Sequence, residues 1–256
     1  MRGEKTIIII PAFNEERHIQ NSVKHALSLV KSGLAQEFVV IDDGSTDRTA
    51  QIAKEAGATM IRSGRNLGKG GAFILGALHC RQMLADTMVM IDADLIVPVG
   101  NPVQDMLDLL HSKDHLPAQN GQHGPYNMVV AAASEGNARP DYTYSGERAI
   151  RMKSLCFLFA AGEDGKLHLA KSKPAERFIE MCGGFGLEPA LDWQIRPSAV
   201  LPVSEGIFKL HEAFRKGKDA QVARQMAVES FAMNRHKTAE FLKKQAAGAH
   251  RMAKLM

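Results

Sequence analysis

Short apolar runs alternate with one-sided apolar stripes along the first part of the chain. The runs lie at 6–10, 38–41, 59–61 and 87–91. Runs of this length are typical of buried parallel strands, whereas stripes with a period near 3.6 are typical of amphipathic helices. The stripes begin at Glu15, near Asp47 and at Gly70, and the first two close at Gly33 and Gly57. The alternation predicts a β-α-β-α-β-α-β order and a parallel sheet covered by helices.

The pattern is less regular in the second half. Residues 128–133 and 199–203 are again apolar runs and predict strands, while 147–159 predicts a helix. The polar segments 112–126 and 136–145 predict loops. After a turn at 162–165, the remaining chain predicts mainly helices.

Composition narrows the class of protein. The chain has 256 residues with 45% hydrophobic and 23% charged residues, which is ordinary for a soluble protein with a full core. Its formal net charge of +4 suits an anionic substrate and argues against nucleic acid as a partner. Three separated cysteines, without a C-x-x-C pair, argue against disulfides and zinc, and we expect each to be buried.

Location follows from what the sequence lacks. No N-terminal signal precedes the first strand, and no apolar stretch reaches the ~18 residues of a membrane span. We therefore expect a cytoplasmic protein without an integral membrane segment. The segment 227–256 is a basic helix candidate, for which packing on the domain is favoured over peripheral contact with anionic lipid. We expect one domain at 1–215 and a basic helical extension at 216–256.

Asp92 and Asp94 directly follow the apolar run 87–91. Open α/β sheets bind ligands at the carboxyl ends of their strands, and Mg²⁺ and Mn²⁺ prefer oxygen ligands completed by water and phosphate. The pair therefore predicts a divalent cation held against a diphosphate. A solvated turn with two acids is the competing interpretation, and the neighbouring strand ends weaken it.

Two further strand ends carry polar side chains. Pro11 to Glu16 follow the first run, where the backbone and Glu15 suit a nucleoside, although Asn14 also suits a helix N-cap. Asp42 to Asp47 follow the second run. A carboxylate there can accept a hydrogen bond from an N–H group of uracil or guanine. Asp47 also suits a helix N-cap, which is the alternative interpretation for that residue.

The basic, glycine-containing loop before Gly70 predicts a phosphate site. Helix N-termini attract anions, so Lys69 is placed to neutralise a diphosphate. The glycine spacing is not that of a Walker A loop, and no G-x-G-x-x-G follows the first strand. A dinucleotide site is therefore disfavoured. A glycine-rich helix entry without a ligand is the alternative.

Together, the segments PAFNEE, VIDDGSTD, NLGKGGA and MIDADL resemble nucleotide-sugar glycosyltransferases of the GT-A fold, family 2 type, over residues 5–110. The resemblance implies a Rossmann-like, mixed but mostly parallel sheet with helices on both faces. It also implies a site role for each matching residue. Pro11, Ala12, Glu15 and Asp43 would face the nucleoside, Lys69 the phosphates, and Asp92 and Asp94 the ribose and the Mg²⁺ or Mn²⁺.

The second half resembles a narrower group. DADLIVP, then SGERA at 145–149 and GFGLE at 184–188, resemble the glucosyl-3-phosphoglycerate synthase and mannosylglycerate synthase type, whose members are retaining. The resemblance implies His211 as a third metal ligand and Glu188 beside acceptor and sugar hydroxyls. Asn137 to Pro140 faintly resemble the acceptor loop of the phosphoglycerate-using enzymes, but the neighbouring residues depart from that pattern, which disfavours a phosphorylated acceptor.

These expectations define an enzyme. It would move a hexose from a nucleotide diphosphate sugar, with uridine favoured by the resemblance, to a small hydroxyl acceptor, with Glu188, Asp94 and Lys69 as catalytic residues. An inverting reaction would instead need Glu188 or Asp192 as base. A polyprenyl-phosphate hexosyltransferase is the first alternative, and a non-catalytic nucleotide-binding module and a nucleotidyltransferase are weaker ones. The sugar, the acceptor and the oligomeric state, a homodimer included, stay open.

Overall fold

The computed structural model describes residues 4–95, 101–112, 126–133, 147–183, 186–195 and 198–203. The strands are β1 Thr6–Ala12, β2 Glu37–Asp42, β3 Thr59–Arg62, β4 Thr87–Met90, β5 Met128–Ala133, β6 Arg148–Arg151, β7 Phe159–Ala161, β8 Leu167–Leu169 and β9 Ser198–Val203. The helices are α1 Ile19–Lys31, α2 Thr49–Glu55, α3 Gly68–Gln82, α4 Pro102–His111, α5 Lys173–Met181 and α6 Leu187–Gln194, with a 3-10 segment at Met152–Leu158.

A seven-stranded sheet organises these elements in the order β3-β2-β1-β4-β6-β5-β9. Strands β1 to β4 are parallel, with Ile7 opposite Glu37 on β2 and Thr6 opposite Thr87 on β4. Strand β6 runs antiparallel between β4 and β5, and β9 is parallel to β5. The mixed, mostly parallel sheet confirms the predicted fold class, and the first four strands confirm the predicted order.

Alternate residues of β1 enter two cores, one on each face of the sheet. Ile7 and Ile9 pack with α3, the 3-10 segment, α5 and α6. Ile8 and Ile10 pack with α1 and α4 on the opposite face. Side chains alternate along a strand, so a continuous isoleucine run suits a strand that is covered on both faces. The expected helices on both faces are confirmed.

The helix expected over 147–159 is wrong. Residues 148–151 form β6 and residues 152–158 the 3-10 segment. Arginine, alanine and methionine are good helix formers, so local propensity favours a helix here. Pairing with strands on both sides and complete burial of Arg148, Ala149 and Ile150 outweigh that propensity.

Three smaller expectations also need correction. Helix α1 begins at Ile19 rather than Glu15, and Asn14 is a left-handed residue with a φ of 55° instead of an N-cap. Cys80 and Cys182 are buried as expected, but Cys156 is exposed.

The β7–β8 hairpin and helix α4 were not predicted. The Asn101 side chain caps α4 by accepting a hydrogen bond from the Gln104 amide.

Several expectations concern residues that the structure does not describe. The loop expected at 136–145, most of the loop expected at 112–126, His211 and the extension from 216 lie outside the described ranges. The 1–215 and 216–256 division therefore stays a prediction. Among the described helices, none combines the length and the apolar composition that crossing a bilayer needs.

Candidate functional site

Hydrogen bonds between side chains and backbone join the loops that follow β1 and β2. The Asn14 amide donates to Ser45 Oγ at 3.0 Å, and Asn14 Oδ1 accepts from the Thr46 amide at 2.9 Å. Asparagine tolerates the left-handed backbone that this turn needs better than most residues. The two strand ends are thus fixed relative to each other, with Pro11 half-buried and Ala12 buried between them.

The same two loops are joined a second time, one turn further along. The Glu15 amide donates to Thr49 Oγ1 at 2.7 Å, and the Glu16 amide donates to Asp47 Oδ2 at 3.2 Å. Glu15 Oε2 lies 3.1 Å from His18 Nδ1, and 19% of the Glu15 side chain is exposed. Glu15 therefore stands at the first strand end, where the resemblance placed it, with its carboxylate oriented by His18.

Asp43 connects the end of β2 to the loop before α3. Its Oδ1 accepts from the Leu67 amide at 2.8 Å and its Oδ2 from the Gly68 amide at 2.7 Å. Burial raises the pKa of Asp43 above its ordinary value, although these two amides act in the opposite direction. Both oxygens hold the loop that delivers Lys69, a positioning role that the sequence did not indicate. Whether Asp43 also contacts a nucleoside stays a prediction.

Lys69, in the first turn of α3, bridges two carboxylates from distant parts of the chain. Its Nζ lies 2.9 Å from Asp92 Oδ1 and 2.8 Å from Glu188 Oε1. About a third of the Lys69 side chain is exposed, against 17% for Asp92 and 12% for Glu188. The structure therefore brings together three side chains that the sequence singled out separately.

The ammonium and the two carboxylates of this half-buried bridge stabilise each other's charged forms. Burial opposes the charged form of Lys69, but the carboxylates of Asp92 and Glu188 outweigh it and raise the pKa of the ammonium. Burial likewise works to raise the pKa of Glu188, while Lys69 and then the fully buried Arg148 outweigh it and lower that pKa. Glu188 is thus an ionised carboxylate at neutral pH.

A close helix contact places Glu188 beside Lys69. A Cβ atom added at Gly70 would overlap the Cys182 carbonyl oxygen and lie 2.6 Å from Cys182 Cβ. Only glycine lets the start of α3 approach the end of α5 this closely. Helix α6 then begins at Leu187, with Glu188 in its first turn.

Asp92 and Asp94 lie just past the end of β4. Ile91 still donates to the Ile9 carbonyl at 3.0 Å, and the Ala93 side chain is buried in the core on the α1 face. Asp92 and Asp94 are both half-buried, and Asp92 contacts Lys69. The alternation of the strand thus continues into the turn and separates the apolar side chain from the carboxylates.

These carboxylates suit a hard divalent cation in their chemistry. Two oxygen donors at a strand end, one of which already holds an ammonium group, form an electronegative site of the kind that Mg²⁺ and Mn²⁺ occupy. Within the described ranges no group of three histidine, cysteine or acidic residues is placed to hold a metal. The expected third ligand His211 and the side chain of Asp192 lie outside the described part of the chain.

The chain matches one family model and many curated proteins. Residues 7–132 match the model described as glycosyl transferase family 2. The chain is 30% identical over 114 residues to undecaprenyl-phosphate 4-deoxy-4-formamido-L-arabinose transferase of Edwardsiella ictaluri, covering 42% of this chain and 33% of that protein. It is 32% identical over 97 residues to a dolichyl-phosphate beta-glucosyltransferase of Trichomonas vaginalis, covering 34% and 29%. The matches span about a third of these relatives' lengths.

Solved structures resemble the fold over most of the chain. Glucosyl-3-phosphoglycerate synthase from Mycobacterium tuberculosis, in complex with Mn²⁺, UDP and phosphoglyceric acid, superposes with a TM-score of 0.59. The alignment is 20% identical and covers 95% of this chain and 79% of that one. At this identity the likeness concerns the fold alone.

Proposed function

Because residues 7–132 are a glycosyl transferase family 2 segment, we propose that this protein is a metal-dependent glycosyltransferase. It transfers a hexose from a nucleotide diphosphate sugar, with a uridine nucleotide favoured, to a small hydroxyl acceptor. The observation that carries the proposal is the bridge from Lys69 to Asp92 and Glu188 at the carboxyl edge of the sheet. The Lys69 ammonium and the carboxylates of Asp92 and Glu188 thus lie together at the edge where open α/β sheets bind ligands, which supports a site for an anionic ligand and a metal ion.

The donor half of the site is built from the strand ends. The loops at Pro11, Ala12 and Glu15 flank the nucleoside, and Asp43 holds the loop that carries Lys69 toward the phosphates. Asp92 and Asp94, with His211 as a third ligand, would hold Mg²⁺ or Mn²⁺. That ion would supply positive charge to the leaving diphosphate as the glycosidic bond breaks.

Lys69 shares this electrostatic task. Its ammonium pairs with two carboxylates, and its position at a helix N-terminus suits an anionic ligand. A diphosphate in the site would accept from the same ammonium, so that charge developing on the leaving group meets a positioned donor. The raised pKa of Lys69 keeps that donor charged throughout the neutral range.

Glu188 would act on the acceptor side of the site. As an ionised carboxylate close to Lys69, it can accept from a hydroxyl of the acceptor or of the sugar. In a retaining reaction the departing phosphate oxygen takes the acceptor proton and Glu188 only orients. In an inverting reaction Glu188 or Asp192 would be the base. The low pKa of Glu188 makes it a weak base, and this favours the orienting role and retention.

Nucleotide binding with and without metal tests the proposal. Calorimetric titration with UDP and GDP, each in Mn²⁺ and in chelator, should give binding that needs the metal and prefers UDP. Asp94→Ala should abolish the metal-dependent part while the melting temperature stays close to that of the unsubstituted protein. Equal affinity in metal and chelator would overturn the metal role, and tighter binding of GDP would move the donor to a guanosine nucleotide.

The curated relatives support a second candidate, a polyprenyl-phosphate hexosyltransferase. Both curated relatives described above are named for polyprenyl-phosphate compounds, undecaprenyl-phosphate and dolichyl-phosphate. A phosphate acceptor is already ionised and needs no base, so Glu188→Gln would leave its reaction almost unchanged. With a hydroxyl acceptor in a base-catalysed reaction the same variant would lose ~10²–10⁴-fold in rate. Radiolabelled sugar transfer to polyprenyl phosphate and to small hydroxyl acceptors distinguishes the two candidates, and NMR of the product anomer distinguishes retention from inversion.

A further inference from the structure

The turn that carries Asp92 and Asp94 lies beyond the hydrogen-bond ladder of the sheet. The last residue pair between β1 and β4 joins Ile9 to Met90, and the Ile91 amide is the last to donate to β1. The carbonyl groups of Asp92 and Ala93 accept their hydrogen bonds from outside the sheet. Ser22 of α1 is the donor, and its Oγ lies 2.9 Å from the Ala93 carbonyl oxygen and 3.2 Å from the Asp92 carbonyl oxygen.

Ser22 differs from the neighbouring serines of the same helix. Ser28 and Ser32 are exposed and donate to carbonyls one turn earlier, His25 and Leu29. That is the ordinary behaviour of a helical serine. Ser22 is completely buried on the apolar side of α1 and donates instead to a turn some seventy residues later in the sequence.

The position of these two bonds gives them a specific effect. Only two peptide units separate the α-carbons of Asp92 and Asp94, and their carbonyl groups are those of Asp92 and Ala93. Ser22 Oγ lies within hydrogen-bond distance of both carbonyl oxygens, so its single hydroxyl hydrogen is shared between them and restrains both peptide planes. Because each peptide unit is planar, restraining these two units narrows the range of directions in which the two side chains leave the backbone.

We propose that Ser22 is a positioning residue for the paired carboxylates, and this inference rests on the proposed function of Asp92 and Asp94 as metal ligands. Ser22 is completely buried and its hydroxyl contacts backbone carbonyls, so it would act on the ion only through the two aspartates. It holds the two carboxylates at the spacing that the ion needs before the ion arrives, as partners outside the ligand set commonly do for metal ligands.

The test compares Ser22→Ala with Ser28→Ala, two identical changes on one helix. Calorimetry with UDP is run on the full chain in Mn²⁺ and in chelator. Ser22→Ala should weaken binding in Mn²⁺ about tenfold and leave the weak binding in chelator unchanged. Ser28→Ala should change neither value. General destabilisation would lower the melting temperature and reduce both affinities in parallel, and that result would overturn the positioning role.

A second variant separates the hydroxyl from its volume. Ser22→Cys is nearly isosteric but offers only a weak donor, so it should lose metal-dependent affinity as Ser22→Ala does. Full affinity in Ser22→Cys, or in Ser22→Ala, would overturn the inference. If the unsubstituted protein binds UDP equally with and without Mn²⁺, the proposed function fails instead, and the two failures are therefore distinguishable.

Discussion

The ammonium group of Lys69 is the cation that both neighbouring carboxylates contact. Two carboxylates, from a strand end and from α6, meet it within 3 Å. Removing the Lys69 ammonium would leave the largely buried carboxylates of Asp92 and Glu188 without this cation, and such a loss usually costs more free energy than the intact pair contributes. Lys69 is therefore expected to affect both diphosphate binding and the orientation of Glu188.

We therefore expect Lys69→Met to depress turnover by ~10²–10³-fold, the effect of removing a positioned donor from a developing anion. Nucleotide diphosphate affinity should fall as well, because the ground state is already anionic. Steady-state kinetics and calorimetry measure the two effects. Lys24→Met, which changes an exposed lysine on α1, is the control and should retain full activity. Unchanged turnover in Lys69→Met would exclude a phosphate role for this residue.

Other residues of the site depended on tertiary contacts that no local pattern displays. The strand-end acids and Lys69 could be predicted, because parallel strands bring their carboxyl ends to one edge. The meeting of Glu188 with Lys69 could not, since it requires the glycine contact between α3 and α5. Ser22 was missed, although a serine beside Ile19 and Val23 on an apolar stripe was a visible signal.

At the scale of elements, the loops after β1 and β2 behave as one unit. Asp47 joins them, because Oδ1 accepts from the Thr49 amide at 2.9 Å and Oδ2 from the Glu16 amide at 3.2 Å. Burial works to raise the pKa of Asp47, but the hydrogen bonds from Thr49 and Glu16 outweigh it and lower that pKa. A lowered folded-state pKa stabilises the protein above the ordinary carboxyl pKa, and this stabilisation is lost as pH falls through the lowered value.

Asp47→Asn should therefore reduce the free energy of unfolding by about 1 kcal/mol at pH 7. The difference from the unsubstituted protein should shrink as pH falls below about 4, because Asp47 itself then becomes neutral. Urea unfolding at a series of pH values measures this. A difference that stays constant down to strongly acidic pH would show that the charge of Asp47 contributes nothing.

The contact between α3 and α5 provides a second test at this scale. Gly70→Ala would force Cys182 away and separate Lys69 from Glu188, so we expect activity to fall at least tenfold and stability by about 1–3 kcal/mol. Gly64→Ala is the matched control, because a Cβ there meets no atom within 4 Å. It should be neutral or slightly stabilising. Equal behaviour of the two variants in melting and in kinetics would contradict the role given to the contact.

Local patterns predicted the first four strands and their helices because apolar runs and one-sided stripes alternate regularly there, with glycines closing two of the stripes. Boundaries shifted by a few residues, as at Ile19, where the turn at 15–18 precedes α1. Strand β6 could not be predicted, since the two arginines and the alanine among its four residues favour a helix and the segment becomes a strand only between β4 and β5. Short elements buried by distant partners are where local propensity is weakest.

For the whole molecule, the sheet order makes the segment 7–132, which matches the family 2 model, dependent on later residues. Strand β5 has only β6 and β9 as described neighbours in the sheet, and both follow Ala133. One face of the sheet is covered partly by α5 and α6, for example through Phe178, whose ring centre is 6.3 Å from that of Phe73.

A fragment that ends at Ala133 should therefore not fold as the full chain does. We expect dye binding to exposed apolar surface, weak near-ultraviolet circular dichroism and a broad thermal transition, because one core lacks its cover. The full chain, measured in parallel, should unfold cooperatively. A sharp transition of the fragment, with a denaturant slope expected for its size, would show that the first half is an independent unit.

The antiparallel strand β6 also sets an order of events during synthesis on the ribosome. Strand β4 can pair with β1 as soon as residue 90 has emerged, but its other edge stays open until residues 148–151 follow. During that interval an apolar strand edge, the one that carries the two aspartates at its end, is available to neighbouring nascent chains. We infer that the yield of native protein depends on translation speed through residues 91–147, which separate the emergence of β4 from that of β6.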